Sequence, residues 1–188
     1  NEWIKSTGNV TVPQGTQITW NVKTNQTKTV DFISAEKRIS FEEKTTNNFV
    51  FSKRIVRPIN YQIKSSNNNL RDYESLPFSI NIIKDEFPSI TIQSTIDSIS
   101  YGKAQFAGQI SDDYGIRSLQ IVYYNDENTT LQKIVNLPVN KENIQTFYYE
   151  FPDNLELETG INYNFFFQVF DNDAVNGSKK ATSKTFHY

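Results

Sequence analysis

The stretch Lys84-Asp85-Glu86-Phe87-Pro88-Ser89-Ile90 separates two halves of similar build. Before it, Phe78-Ser79-Ile80-Asn81-Ile82-Ile83 alternates apolar and polar residues and ends in an extra apolar one. After it, Ile90-Thr91-Ile92 alternates again. Alternation with period two is the mark of a strand with one buried face. A strand that closes one domain is therefore followed, within a few residues, by one that opens the next. Pro88 fixes its own φ and pushes Phe87 away from the α region, so the joint is extended. It contains no glycine, which limits the angles the halves can adopt. The expected domains are residues 1–85 and 86–188.

Working outward, the N-terminal half begins with Trp3-Ile4, then Val10-Thr11-Val12 and a turn at Pro13-Gln14-Gly15. In Gln17-Ile18-Thr19-Trp20-Asn21-Val22, the residues Ile18, Trp20 and Val22 share one face. Further strands are expected at Val30, Phe32 and Ile33, at Ile39 and Phe41, over Asn48 to Phe51, over Ile59 to Ile63, and over Phe78 to Ile83. Ser65 to Asp72 reads as a polar loop. The C-terminal half repeats the plan, with strands at Ile90 to Ile92, Ala104 to Ile110, Leu119 to Tyr124, Thr130 to Val135, Thr146 to Phe151, Phe165 to Phe170 and Ser183 to Phe186. Ile59-Asn60-Tyr61 recurs as Ile161-Asn162-Tyr163, and Gly15 and Gly102 each precede a second main strand. No long amphipathic helix is evident. About seven short strands per half, at turn spacings of roughly 8–12 residues, define an all-β chain of two tandem immunoglobulin-like sandwiches joined by a short extended linker. The absence of cysteine excludes the antibody-type disulfide, so the build is of the fibronectin or cadherin kind. Tyr61 and Tyr163 are candidates for the tyrosine corner of such folds, or equally for core aromatics at a strand start.

Composition narrows the function classes. The chain has 188 residues, a formal net charge of −2 and no cysteine or methionine. No basic stripe points to nucleic acid, and no apolar run approaches the ~18 residues of a membrane span. Lack of Cys removes disulfides, thiol catalysis and zinc–thiolate sites. Apolar residues make up 37%, but 14 Phe, 10 Tyr and 2 Trp can fill two small cores. Lack of Met places the natural start elsewhere, so the chain reads as a fragment or processed form. Glycosylation sequons begin at Asn9, Asn25, Asn128 and Asn176, as an Asn-, Ser- and Thr-rich chain produces by chance.

Phe87-Pro88-Ser89-Ile90, Ser111-Asp112-Asp113-Tyr114-Gly115-Ile116 and Phe170-Asp171-Asn172-Asp173 carry a narrower likeness. Residues 86–188 resemble an uncharacterised family of large, membrane-anchored envelope proteins of Gram-negative bacteria. The resemblance implies Ig-like modules outside the cytoplasmic membrane, in the periplasm or on the outer side of the envelope, with any membrane contact made by other segments. It implies no activity.

Nucleophilic catalysis has little to draw on: the only histidine, His187, lies in the closing strand, and no G-x-S-x-G, Walker or H-E-x-x-H pattern occurs. Tyr123-Tyr124 and Tyr148-Tyr149 are candidate ligand platforms, although one member of each pair must face inward. The acidic turns are the sharper signal. In an immunoglobulin-like topology Asp85 and Glu86, Asp112 and Asp113, and Asp171 and Asp173 converge at the pole facing the first domain. Ca²⁺, which takes six to eight oxygens, suits such a group. Turn chemistry offers a plainer account, because Asp and Asn side chains bond local N–H groups. Arg117, Lys84, Lys179 and Lys180 are then the neutralising cations. The leading expectation is a non-enzymatic structural and protein-interaction segment of a larger envelope protein, with other protein domains as partners and no nucleic acid. Its alternatives are a carbohydrate-binding or adhesive module, for which exposed Trp3 and Tyr124 would speak, and an accessory domain of an enzyme whose catalytic part lies elsewhere. Unpaired edge strands leave strand-addition dimers open.

Overall fold

The computed structural model describes residues 8–35, 37–73, 75–95 and 103–188; Trp3, Ile4 and Gly102 lie outside them. Two compact units, Asn1–Lys84 and Asp85–Tyr188, each hold their own core. Every regular element among the described residues is a strand.

In the first unit the strands are β1 (Val10–Pro13), β2 (Thr16–Lys23), β3 (Thr29–Ser34), β4 (Arg38–Ser40), β5 (Glu42–Thr45), β6 (Asn48–Ile55), β7 (Ile59–Ser66) and β8 (Ser75–Ile83). They form a sheet of order β1-β8-β7-β3-β4 and a second of order β2-β6-β5. β1 runs parallel to β8, with Val10 opposite Ile80, and the other pairs are antiparallel. This is an immunoglobulin-type sandwich in which a short first strand joins the last. Ile39 and Phe41, expected in one strand, fall in two regions. Ile39 pairs with Phe32 in the larger sheet, while Phe41 is buried at the point where the chain crosses to the smaller one. The alternation continues across the crossing, with Ile39 half-buried in the larger sheet and Phe41 buried in the core.

That core is aromatic. Phe32 stacks on Tyr61 at 4.7 Å between centroids and Trp20 meets Phe32 edge-on at 5.2 Å. Tyr61 is a core residue, not a corner: its hydroxyl donates to the distant Gly8 carbonyl at 2.7 Å and accepts from Trp20 Nε1 at 3.0 Å.

The second unit contains β9 (Ser89–Thr95), β10 (Ala104–Ser111), β11 (Ile116–Asn125), β12 (Lys133–Leu137), β13 (Ile144–Phe151), β14 (Tyr163–Asp171), β15 (Lys180–Thr182) and β16 (Phe186–His187). One sheet has the order β13-β10-β9 and the other β12-β11-β14-β15, with β16 also on β14. First, second and fifth strands thus face third, fourth, sixth and seventh, the fibronectin-type division. The closing strand expected over Ser183 to Phe186 is instead two short pieces on either side of that stretch. β14 is central and nearly all buried, as its apolar run requires. Phe165 stacks on Phe151 and packs against Phe106 and Phe186. Tyr163, at the start of β14, does make the tyrosine corner, its hydroxyl accepting from the Glu158 N–H at 3.2 Å.

Gly108 is where the core leaves no room. A Cβ added there would lie 2.3 Å from the Phe147 ring and 2.8 Å from Ile92 Cδ1. Gly108→Ala is expected to destabilise the protein by about 1–3 kcal/mol, read as a lower urea midpoint with an unchanged m-value. Wild-type stability in this variant would show that the ring moves freely.

Candidate functional site

Strand register decides which loops of the second unit meet. Ser89 at the start of β9 pairs with Ser111 at the end of β10, and their hydroxyls are 2.7 Å apart. Ile116 at the start of β11 pairs with Asp171 at the end of β14. The lead-in segment before β9, the β10–β11 turn and the β14–β15 loop therefore share one end of the sandwich.

The β10–β11 turn is held by Asp112, whose Oδ2 accepts from the N–H groups of Tyr114 at 3.0 Å and Gly115 at 2.8 Å. Gly115 has φ +118°, a conformation that favours glycine. Asn143 Nδ2 and Asn172 Nδ2 donate to the Asp113 and Tyr114 carbonyls, tying the turn to its neighbours. In the β14–β15 loop the fully buried Asp171 accepts from the N–H groups of Asp173 and Lys179. Asp173 Oδ1 accepts from Val175 N–H at 2.7 Å and Asn176 N–H at 3.1 Å. These bonds fold the loop so that Lys179 turns back into the pole. Its Nζ donates to Asp173 Oδ2 at 2.8 Å, to Asp171 Oδ2 at 3.3 Å and, closely, to Asp85 Oδ2. It also lies 6.0 Å from the centre of the Phe87 ring.

Of the carboxylates expected here, Asp85, Asp171 and Asp173 gather on Lys179, while Asp85, Asp112 and Asp113 present oxygens within 4.8 Å of one another. Glu86 does not join: it is exposed beside the half-buried Asp85, as alternation along an extended segment requires. Of the cations, Lys179 enters the group, whereas Lys84, Arg117 and Lys180 are exposed.

The electrostatics follow the geometry. Burial works against the Lys179 charge, but the hydrogen bonds it donates to Asp173, Asp85 and Asp171 outweigh this and hold the ammonium above the usual lysine range. The Lys179 bond holds Asp173 well below the carboxylate range. Burial pushes Asp112 up, against the two turn N–H groups, and Asp113 and Asp171 add to the rise. Asp85 is also raised by burial, which its bond to Lys179 only partly offsets.

The remaining candidates separate as period two dictates. Tyr123 is buried and Tyr149 packs on Phe167, its hydroxyl donating to the Asp153 carbonyl. Tyr124 is half-buried, and Tyr148 is 83% exposed. His187 is exposed in β16. One feature of the first unit escaped the sequence reading. Arg38 bridges Asp31 and Asp72, and Ser40 donates to Asp31, along the wall of a polar cavity of ≈ 480 Å³ that Asn67 to Asn69 also line. The one signal for it was a charge, Asp31, inside the apolar run Val30-Asp31-Phe32.

No protein-family model matches this chain and no curated protein is found as a relative, so the envelope-family resemblance of residues 86–188 rests on its short motifs. Solved structures give weak similarities that run over nearly the whole chain. One is a Bacteroides uniformis protein provisionally described as carbohydrate-binding (11% identity, TM-score 0.33, 95% of this chain and 96% of that one). Another is a DUF3823 family protein of Parabacteroides merdae (11%, 0.34, 93% and 98%). A third is the fibronectin(III)-like modules of Clostridium thermocellum CbhA (15%, 0.31, 97% and 88%). Similarity at this level decides nothing about activity, ligand or location.

Removing the ammonium tests its role. Lys179→Met leaves buried carboxylates without their counter-charge, a loss of about 3–5 kcal/mol at pH 7. The deficit should depend on pH. In the wild type Asp173 titrates lower when folded than when unfolded, so its stabilising contribution is present at neutral pH and lost as pH falls through the depressed range. Without Lys179 the largest cause of that depression is gone, and protonation relieves the repulsion. Urea unfolding should show the gap between variant and wild type narrowing from pH 7 towards pH 4. A gap that stays constant across that range would show that Lys179 acts through packing alone.

Proposed function

We propose that the chain is a non-enzymatic structural and protein-interaction segment of a larger bacterial envelope protein, placed on the extracytoplasmic side of the membrane. The observation that carries this reading is how the buried charge is used. Asp31 spends its oxygens on Arg38 and the Ser40 hydroxyl, Asp171 and Asp173 spend theirs on Lys179 and turn N–H groups, and Asp112, the buried aspartate with an unpartnered oxygen among the described residues, holds that oxygen buried. Such groups brace loops. A catalytic carboxylate would keep an oxygen directed at a cleft. The resemblance of residues 86–188 supports the location, and a chain without cysteine suits an oxidising compartment.

A second reading, glycan binding, is favoured by Tyr148. It stands opposite Ala107 on the outer face of the β13-β10-β9 sheet, with exposed Gln93, Gln105, Gln109 and Thr146 on the same face. An exposed ring on a flat polar sheet is a platform for a sugar face. Of the aromatics named for this role, Tyr124 is half-buried and Trp3 lies outside the described residues.

Two measurements test the proposal. In spheroplasts of a Gram-negative host producing the parent protein, added protease should cut an epitope inserted at Asn67 to Asn69. Protection until the inner membrane is lysed would overturn the location. On a glycan array the wild-type chain should bind nothing that Tyr148→Ala does not. Binding lost in Tyr148→Ala would replace the first reading with the second.

A further inference from the structure

We propose that Asp85, Asp112 and Asp113 form a Ca²⁺ site on the second unit, with Asp112 Oδ1 as its buried ligand. The inference does not depend on the role proposed above and would hold equally for a glycan-binding module.

Three carboxylate oxygens within 4.8 Å of one another are close enough to share one ion, since Ca²⁺–oxygen distances run about 2.3–2.6 Å. Proximity alone would not distinguish a site from a crowded turn. The distinguishing observation is Asp112 Oδ1. Asp112 is only 7% exposed, and this oxygen is buried with no hydrogen-bond partner among the described residues. The other oxygen, Oδ2, takes both turn N–H groups, so it fixes the carboxylate in place and leaves Oδ1 for something else. A buried anionic oxygen without a partner is costly, and such an atom calls for a water or an ion.

Charge points to an ion. Five carboxylates, those of Asp85, Asp112, Asp113, Asp171 and Asp173, meet at this end of the unit and share one ammonium. Lys179 serves Asp85, Asp171 and Asp173. Among the described residues neither Asp112 nor Asp113 has an ion-pair partner. A divalent cation added to Lys179 would still leave the carboxylates in excess, with Asp85 shared between the two cations.

Turn geometry does not explain the carboxylate either. This chain builds comparable side-chain-to-backbone turns with asparagine: Asn67 Oδ1 accepts from Asn69 and Leu70 N–H, Asn125 Oδ1 from Glu127 N–H, and Asn140 Oδ1 from Glu142 N–H. Asn at 112 would supply the same acceptor and put an amide donor in place of the orphaned oxygen. The second negative oxygen has a use only if a cation takes it. Ca²⁺ fits better than a soft metal because every donor is a hard oxygen and no Cys or buried His is near. Asp113 is exposed, so water can complete the coordination shell. A site that is half protein and half water belongs in the range of extracellular modules, with Kd on the order of 10⁻⁴–10⁻³ M.

The test is thermal melting of the whole chain in EDTA and in about 5 mM CaCl₂. By mass action the wild type should melt about 5 °C or more higher with Ca²⁺. Asp112→Asn should lose that shift, and its melting temperature in EDTA should be no lower than the wild type's. Asp113→Ala, at an exposed position, should keep the fold and bind Ca²⁺ about tenfold more weakly by calorimetry. No wild-type shift, or a full Ca²⁺ response in either variant, would overturn the proposal. If Asp112→Asn fails to fold, the Asp113→Ala affinity decides alone.

Discussion

Three acidic side chains occupy one end of the second unit because one ammonium sits among them. Asp85, Asp171 and Asp173 would repel one another with nothing between, and Asp171 is fully buried, where uncompensated charge is costly. Lys179 resolves this with one hydrogen bond to each. Its position depends in turn on backbone that those same aspartates fold: Asp171 accepts the Lys179 N–H, and Asp173 accepts the N–H groups of Val175 and Asn176. Loop shape and charge balance are therefore one arrangement. A change in either alters both, which is why a single lysine outweighs the other cations of the region.

The two units solve the same packing problem with different means. Each closes two sheets over aromatic rings that no disulfide braces. The first uses a mixed cluster in which Trp20 and Tyr61 satisfy each other's polar atoms within the core, so their rings can be buried without stranding a donor. The second relies on Phe106, Phe151, Phe165, Phe167 and Phe186, which have no polar atoms to satisfy. Gly108 is the cost of that density, since Phe147 occupies the space its side chain would take.

Strands were the legible part of the fold, because a half-buried strand must alternate and most of these do, from Ile18-Thr19-Trp20 to Ile59-Asn60-Tyr61, while β14 was legible from its apolar run. What alternation does not carry is the choice of sheet. Ile39 pairs within the larger sheet and Phe41 is buried where the chain leaves it, and the pattern is the same on either side of the crossing. The repeated Ile-Asn-Tyr likewise marks two equivalent strand starts. Yet Tyr163 bonds five residues upstream, whereas Tyr61 reaches Gly8. The difference lies in which backbone the hydroxyl meets, and that is a tertiary fact. At the site, acidic spacing was readable and its meeting point followed from topology. Lys179 could not be singled out among its basic neighbours, because only the folded β14–β15 loop turns that one side chain inward. Arg38 with Asp31 and Asp72 went unread because Asp31 meets Arg38 only through the pairing of β3 with β4, and Asp72 comes from a distant loop.

The extended stretch Lys84 to Pro88 has no strand partner, so no ladder of backbone bonds positions it. Two side chains hold it instead. Pro88 is buried, and Asp85 is tied to Lys179 and lies beside Asp112 and Asp113. Proline restricts the backbone at one end of the stretch, and Asp85 restrains the other through charge. The two restraints respond to different conditions. The proline acts at any pH or ionic strength, whereas the Asp85 contacts vary with the protonation and cation occupancy of the whole pole. The conformation of the segment that leads into the second unit is thereby linked to the same charge balance that orders its loops.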